Sequence, residues 1–298
     1  MLTHHNPVPE DPARVVVLGA GGFIGSALMA ALAGAGIAAL PVTRAQVDLA
    51  SEDAADRLAA MLRSTDAVVV AAAITPDKGR GVGPFLKNIH VGANVCAALE
   101  RVPVPHVVYF SSDGVYPLNG SAVTEQSCAQ PPDLYGMMHL ARELMVKATV
   151  RAPVAVLRPT LVYGHADTHN SYGPNRLRRM AHQETRITLF GEGEEMRDHI
   201  LVHDVAALTL HLLRHRSSGT LNVATGRSIS YAELAKKIAA LFDAPVDIVS
   251  TPRQNPVTHR FFDVAALRQA FPAFAFTPLD EGLAKTHREM LEQPGWPR

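Results

Sequence analysis

Residues 14–25 read Arg14-Val15-Val16-Val17-Leu18-Gly19-Ala20-Gly21-Gly22-Phe23-Ile24-Gly25. An apolar run ends in a cluster of glycines, and an amphipathic stretch to residue 35 follows. The run predicts a strand buried on both faces, and the stretch predicts a helix. The strict Gly-x-Gly-x-x-Gly spacing fails, because Ile24 stands where its third glycine would be. The spacing Gly19-x-x-Gly22-x-x-Gly25 is intact. Gly19 can take the tight turn. Gly22 lets the backbone approach a pyrophosphate at the helix N-terminus, and Gly25 permits close helix–strand packing. This strand–turn–helix predicts a bound dinucleotide; the alternative is a glycine-rich turn without a ligand.

Outward from this turn, short apolar runs alternate with amphipathic stretches. Strands are expected at 37–42, 67–72, 106–110 and 154–157, and helices at 52–63, 84–100 and 133–150. Apolar strands alternating with helices imply a parallel sheet covered on both faces, and right-handed crossovers make it a doubly wound, Rossmann-like α/β fold. Beyond residue 163 Gly, Asn, Pro and charges become frequent. A helix at 204–215, a strand at 220–223 and a helix at 230–242 follow. The expected organisation is a dinucleotide-binding domain of 13–163 plus about 201–223. A smaller C-terminal α/β substrate lobe takes about 164–200 plus 224–298, and 1–12 form a flexible tail.

The whole chain has 298 residues, 47% of them hydrophobic and 19% charged, which excludes a disordered chain. The 28 basic and 28 acidic side chains balance, so charge gives no reason to expect nucleic acid or an anionic membrane as a partner. No apolar run is long enough to span a bilayer, and the polar, Pro-rich start lacks a secretory signal pattern. Cys96 and Cys128 form no CxxC pair; both are read as buried small hydrophobes in a reduced cytoplasm. His165, Asp167 and His169 form the closest ligand-like cluster, but no known metal spacing supports it, so no metal is expected.

The second strand ends at Thr43-Arg44, with no acid to receive an adenosine ribose. Arg44 is placed to pair with a 2′-phosphate, so NADP is favoured, with NAD possible. A solvated loop arginine is the alternative. Asp48, followed by Leu49, could accept from an adenine amino group or cap the next helix.

Three further segments carry a recognisable pattern: Ser111-Ser112-Asp113-Gly114-Val115-Tyr116 after the fourth strand, Tyr135-Gly136-Met137-Met138-His139 opening the long helix, and Arg158-Pro159 through Tyr163-Gly164. Asn88 and Asn94, and Arg197 followed by an apolar strand and Asp204, match too. With the glycine turn, these resemble the extended short-chain dehydrogenase/reductase superfamily, within it the NAD-dependent epimerase/dehydratase family of nucleotide-sugar enzymes. The resemblance runs from residue 14 to about 291. It implies a dinucleotide held by Gly19, Gly22, Phe23, Ile24 and Gly25 at the turn, and by Arg44, Asp48 and Leu49 beyond the second strand. Ala71, Ala72 and Ala73 follow the third strand, and Asn88, Tyr135, His139, Arg158 and Pro159 complete the set. It implies a catalytic Ser112, Tyr135 and His139, and a nucleotide-sugar site using Asp113, Asn175, Arg197 and Arg260. Arg178 and Arg179 are read as solvated helix charges. The polar segment 165–175 is expected at the substrate mouth.

One departure matters. The family signature is YxxxK, and here it is Tyr135-x-x-x-His139. Residues four apart share a helix face, so both can flank one site. In the family the lysine holds the nicotinamide ribose and lowers the tyrosine pKa. Histidine starts near 6.5 and would depress the tyrosine only if protonated. Three readings are open: His139 acts in the lysine's role with its protonation controlling activity, another group supplies the charge, or the protein is a dinucleotide-sensing module with a disabled site. Gly114 occupies the place of the dehydratase base, which argues against the 4,6-dehydratase subclass. The expectation is an NAD(P)-dependent epimerase-like oxidoreductase working through a keto intermediate, with an NADPH-dependent keto-sugar reductase as runner-up. A homodimer through the third helix and the Tyr135 helix is expected, from Phe85, Val91, Val95, Leu140 and Leu144.

Overall fold

A computed structural model describes residues 2–118, 120–167, 169–170 and 173–292. The chain runs β1 (Val15–Leu18), α1 (Phe23–Gly34), β2 (Ala39–Val42), α2 (Ala54–Met61), β3 (Ala67–Val70), α3 (Val82–Arg101) and β4 (His106–Phe110). It continues through β5 (Ala122–Val123), α4 (Leu134–Thr149), β6 (Val154–Pro159), β7 (Leu161–Tyr163), α5 (Pro174–Glu184), β8 (Arg186–Phe190) and β9 (Met196–Leu201). Then come α6 (Val202–Arg214), β10 (Gly219–Val223), β11 (Ser228–Ser230), α7 (Tyr231–Ala239), β12 (Asp247–Thr251), β13 (Phe261–Phe262), α8 (Ala265–Ala270) and α9 (Leu279–Leu291).

Six strands form a parallel sheet in the order β10-β6-β4-β3-β1-β2. Val15, Val16, Val17 and Leu18 are all fully buried, because helices cover both faces. Val15, Val17, Leu28 and Leu32 pack on one side with Leu208 and Leu212 of α6. Val16, Leu18, Leu58, Val95 and Leu99 pack on the other, beneath α2 and α3. The chain leaves β1 to one side for β2 and returns on its other side as β3. That reversal opens a crevice at the carboxyl ends of β1 and β3, where α/β sheets bind ligands.

A second region carries a three-stranded sheet, β11-β9-β7, and two-stranded pairs β12-β8 and β13-β5. Its core of Tyr163, Leu177, Leu189, Leu234, Ile238 and Leu283 is separate from the two layers of the large sheet. β13 reaches back to β5, which ties this region to the loop after β4.

Three expectations fail here. The N-terminal segment is docked rather than free: Thr3 pairs with Ser218, and His4 bonds the Ser217 hydroxyl at 2.8 Å and the Ala270 carbonyl at 2.9 Å. Met1 and residues 293–298 lie outside the described residues. Cys128 is exposed, whereas Cys96 is buried as expected. Val91 and Val95 face the sheet, not a partner. Among the described residues, no helix is long and apolar enough to cross a membrane.

Candidate active site

Gly19 has φ +86°, a left-handed conformation that favours glycine. A Cβ there would also stand 2.8 Å from the Ala72 nitrogen. One on Gly25 would overlap the Gly19 carbonyl oxygen, so the helix can approach the turn only through glycine. α1 starts at Gly22 with no side-chain cap and no acid in its first turn. Its first N–H groups are therefore available to an anion. Phe23 is buried and Ile24 packs on the core, so what they can offer a ligand is backbone N–H.

From this turn a groove of about 480 Å³ runs past Gly22, Thr43, Arg44, Asp48 and Leu49 on one side and Ala71, Ala72 and Ala73 on the other. The cradle, the uncapped helix and the groove's cations fit a dinucleotide phosphate. Lys78 and Lys87 also line it, contributed by the loop after β3 and by α3. Nothing in the sequence near the glycine turn announces them. Arg44 is 78% exposed and pairs with Asp48 at 3.1 Å. Asp48 also accepts from the Ala50 N–H, which with Arg44 holds its carboxyl below the ordinary value against a smaller effect of burial. Asp48 thus holds the loop before α2 rather than capping that helix, whose N-cap position is Asp53.

The chemical end lies where β4 ends. Ser112 caps the short turn that follows, its Oγ accepting from the Gly114 N–H at 3.0 Å. Asp133 caps α4 through the Gly136 N–H at 2.8 Å, which fixes Tyr135 in the first turn. A Cβ on Gly136 would overlap the Gly114 carbonyl oxygen, so two glycines let the turn lie directly on the helix. Ser112 favours the ionised forms of both Asp113 and Tyr135, and a Cβ on Gly114 would meet both Ser112 Oγ and the Tyr135 ring. The Tyr135 and His139 rings meet edge-on, centroids 4.7 Å apart. Burial, Asp113 and Tyr109 raise the Tyr135 pKa, while Ser112 and Arg142 pull it down.

His139 is buried, with Nδ1 3.1 Å from the Tyr109 hydroxyl and Nε2 without a partner among the described residues. Burial, then the charge of Arg142, push its pKa down to about 3. Burial and the neighbouring guanidinium both disfavour the protonated imidazole that the expected control of activity by His139 requires.

A profile of the NAD dependent epimerase/dehydratase family matches residues 15–224. The chain belongs to this family. It is an enzyme of the NAD-dependent epimerase/dehydratase family. ADP-L-glycero-D-manno-heptose-6-epimerase of Pseudomonas paraeruginosa is 26% identical over 324 aligned positions, which cover 90% of this chain and 96% of that protein. MoeE5 in complex with UDP-glucose and NAD superposes with a TM-score of 0.77 at 26% identity, covering 94% of this chain and 100% of that one. A GDP-L-fucose synthetase from Naegleria fowleri bound to NADP shares the fold, with a TM-score of 0.83 at 19% identity over 98% of both chains.

Several residues that the epimerase/dehydratase resemblance assigned to ligands are engaged by the protein instead. Asn88 binds the N–H and carbonyl of Ile74 and the carbonyl of Pro84, fastening the loop after β3. Asn94, which matched the family pattern without a ligand role, donates to the carbonyls of Leu49 and Ser51. Arg158 is buried, paired with Glu143 at 2.7 Å and donating to the Tyr116 hydroxyl, and Pro159 is a buried residue of β6 paired with Val223. These four shape the site from behind.

The substrate candidates divide similarly. Asn175 is buried and donates to Asp167 at 2.7 Å. Arg260 is buried; its two terminal nitrogens donate to the carbonyls of Tyr116 and Pro117, and its Nε lies 3.8 Å from Asp113. It pins the catalytic turn instead of presenting a fork to a diphosphate. Arg197 is half-buried and donates to Met196 and Thr258. Arg178, read as solvated, is fully buried and donates to the Leu283 carbonyl at 3.1 Å. Arg179 binds Asn170 and the Asp167 carbonyl. Of the segment expected at the substrate mouth, Thr168, Ser171 and Tyr172 lie outside the described residues. The unforeseen residue at the chemical end is Arg142, buried beside Tyr109 and His139.

Proposed function

We propose that this enzyme oxidises and re-reduces a carbon of a nucleotide-activated sugar, with Tyr135 as the proton-transfer group and NADP as the preferred cofactor. The observation that carries the reading is the placement of Ser112 and Tyr135 together, both against Gly114 of the turn after β4, beside a glycine-turn groove. When bound, the dinucleotide accepts a hydride from the sugar carbon and can return it. Tyr135, ionised, takes the sugar hydroxyl proton at its Oη. The Ser112 Oγ accepts from the Gly114 N–H, which orients the hydroxyl so that its hydrogen can turn to the reacting sugar oxygen. His139 stands in the family lysine's place, where its unpartnered Nε2 would hold a ribose hydroxyl. The keto intermediate turns over in the pocket and is reduced on its other face.

The large-sheet unit, 13–163 with about 201–223, is read as the dinucleotide domain. The remainder, about 164–200 with 224–298, is read as the substrate lobe. The described part of segment 165–175, Asp113 and the half-buried Arg197 support a polar sugar subsite between them. The reductase reading is favoured by one observation: Arg44 stands exposed at the groove's edge, suited to the extra phosphate of NADPH. A homodimer is read from the same two helices as the sequence suggested, keeping Leu144 but replacing Val91 and Val95, which face the sheet. Val82 and Leu86 of α3 and Met137 and Leu144 of α4 are exposed, Leu144 by 61%. A reduced cytoplasm suits the two thiols.

Tyr135→Phe tests the reading. It is expected to lower turnover by about 10²–10⁴-fold while dinucleotide affinity stays near wild type. A variant as active as wild type overturns it. Gel filtration of the turning-over enzyme separates the two chemistries: an epimerase retains its cofactor and a reductase exchanges it.

A further inference from the structure

Tyr135, His139 and Arg142 lie four and then three residues apart, along one face of α4. The Arg142 side chain is 1% exposed. Its Nη2 donates to the Ala72 carbonyl at 2.9 Å, and its Nη1 points to the Met138 sulfur at 3.9 Å. Its Nε has no partner, and no carboxylate pairs with it among the described residues. The neighbouring Glu143 is engaged by Arg158, Ser111 and Lys147. A buried guanidinium without a counter-charge is costly. The fold nevertheless makes room for it: a Cβ on Gly92 of α3 would stand 2.9 Å from the Arg142 Cγ. Ala72, whose carbonyl it grips, lines the dinucleotide groove.

We propose that Arg142 is the positioning residue that supplies the fixed positive charge for the Tyr135 phenolate, in place of a charged residue at position 139. The inference rests on Tyr135 being the proton-transfer group. Its physical basis is that a phenolate forming at Tyr135 gives the buried guanidinium the anion it lacks. The groups facing the pair are Asp113 and Ser112 from the turn after β4, Tyr109 from β4, Cys96 from α3, and His139 and Glu143 from α4. Asp113 opposes ionisation of Tyr135 and Arg142 favours it. His139 is neutral and does neither by charge. Arg142 also explains that neutrality, since two cations would otherwise share one buried face.

The test reads Tyr135 ionisation without cofactor. A fluorinated tyrosine at position 135 brings the phenol into the range where the protein is stable, and tyrosinate absorbance is titrated in the cofactor-free protein. Arg142→Met is expected to move ionisation at least about tenfold in proton concentration toward alkaline pH, and Arg142→Lys to hold it near wild type. In the active enzyme the rising limb of the kcat/KM profile should move in the same direction. A loss of rate equal at every pH, with unmoved ionisation, overturns the inference and assigns Arg142 to packing alone. If Arg142→Met does not fold, the pair His139→Lys with Arg142→Leu decides. Ionisation restored to the wild-type position by the relocated charge supports the inference, and failure to restore it in a folded protein overturns it. Activity surviving in Tyr135→Phe would instead overturn the proton-transfer reading, leaving the ionisation result to be judged separately.

Discussion

His139 packs edge-on against Tyr135 and shares a hydrogen bond with the Tyr109 hydroxyl, in surroundings that keep its imidazole neutral down to about pH 3. The kcat/KM profile should therefore carry no limb from this residue near pH 6.5, and the His139 ring resonances should not move between about pH 5 and 9. A histidine titration in that window assigned to His139 by its absence in His139→Asn would contradict the site as described. At the other end of the groove, Arg44 is held by Asp48 alone among the described residues and stays open to a ligand. Arg44→Ala is expected to weaken NADP by about tenfold and leave NAD within about twofold, the modest size reflecting solvent screening of an exposed charge. Equal wild-type affinities for the two cofactors, measured by titration, would remove the basis for a 2′-phosphate contact.

Among the elements, β1 is anchored at its start by Arg14, the residue preceding Val15, which makes two hydrogen bonds to the buried Asp66 just before β3. Burial pushes the Asp66 carboxyl up, but Arg14 and the Arg63 N–H outweigh it and hold it below its ordinary value. A depressed native pKa contributes stability that is present above the unfolded value, near 3.9, and lost as pH falls through the native one. Asp66→Asn should cost about 3 kcal/mol at neutral pH and flatten the acid limb of stability, as read by urea unfolding at several pH values. The strand–helix alternation of the large sheet was legible because buried strands and amphipathic helices have different periods. The two- and three-residue strands β5, β7 and β13 were not, since such lengths carry no period. Nor could the sequence show where its polar residues point. Asn88, Arg158, Asn175 and Arg260 have the right chemistry for ligands, yet backbone carbonyls and carboxylates from distant elements reach them first. Ser112 and Tyr135 were assigned through the family resemblance, and the fold brings them to adjoining positions, the turn after β4 and the first turn of α4. Arg142 was hidden because one arginine in a mixed helix looks solvated until its neighbours are known.

For the whole molecule, the crevice at the carboxyl ends of β1 and β3 opens beside the turn after β4 and the first turn of α4. Dinucleotide groove and reactive tyrosine thereby share one edge of the sheet. The outer face of α3 and α4 carries Val82, Leu86, Met137 and Leu144 to solvent. Leu144→Glu should turn a dimer into a monomer at micromolar concentration by light scattering, whereas a monomeric wild type would leave that face without the proposed partner. The central claim concerns where the reacting oxygen sits. A crystal structure of the enzyme with NADP and a nucleotide sugar measures this directly. The expected result has the dinucleotide along the Gly19–Gly22 turn, a sugar oxygen within hydrogen-bond distance of both Tyr135 Oη and Ser112 Oγ, and His139 Nε2 on a ribose hydroxyl. A sugar bound away from Tyr135, or a dinucleotide outside the β1–β3 crevice, would contradict it.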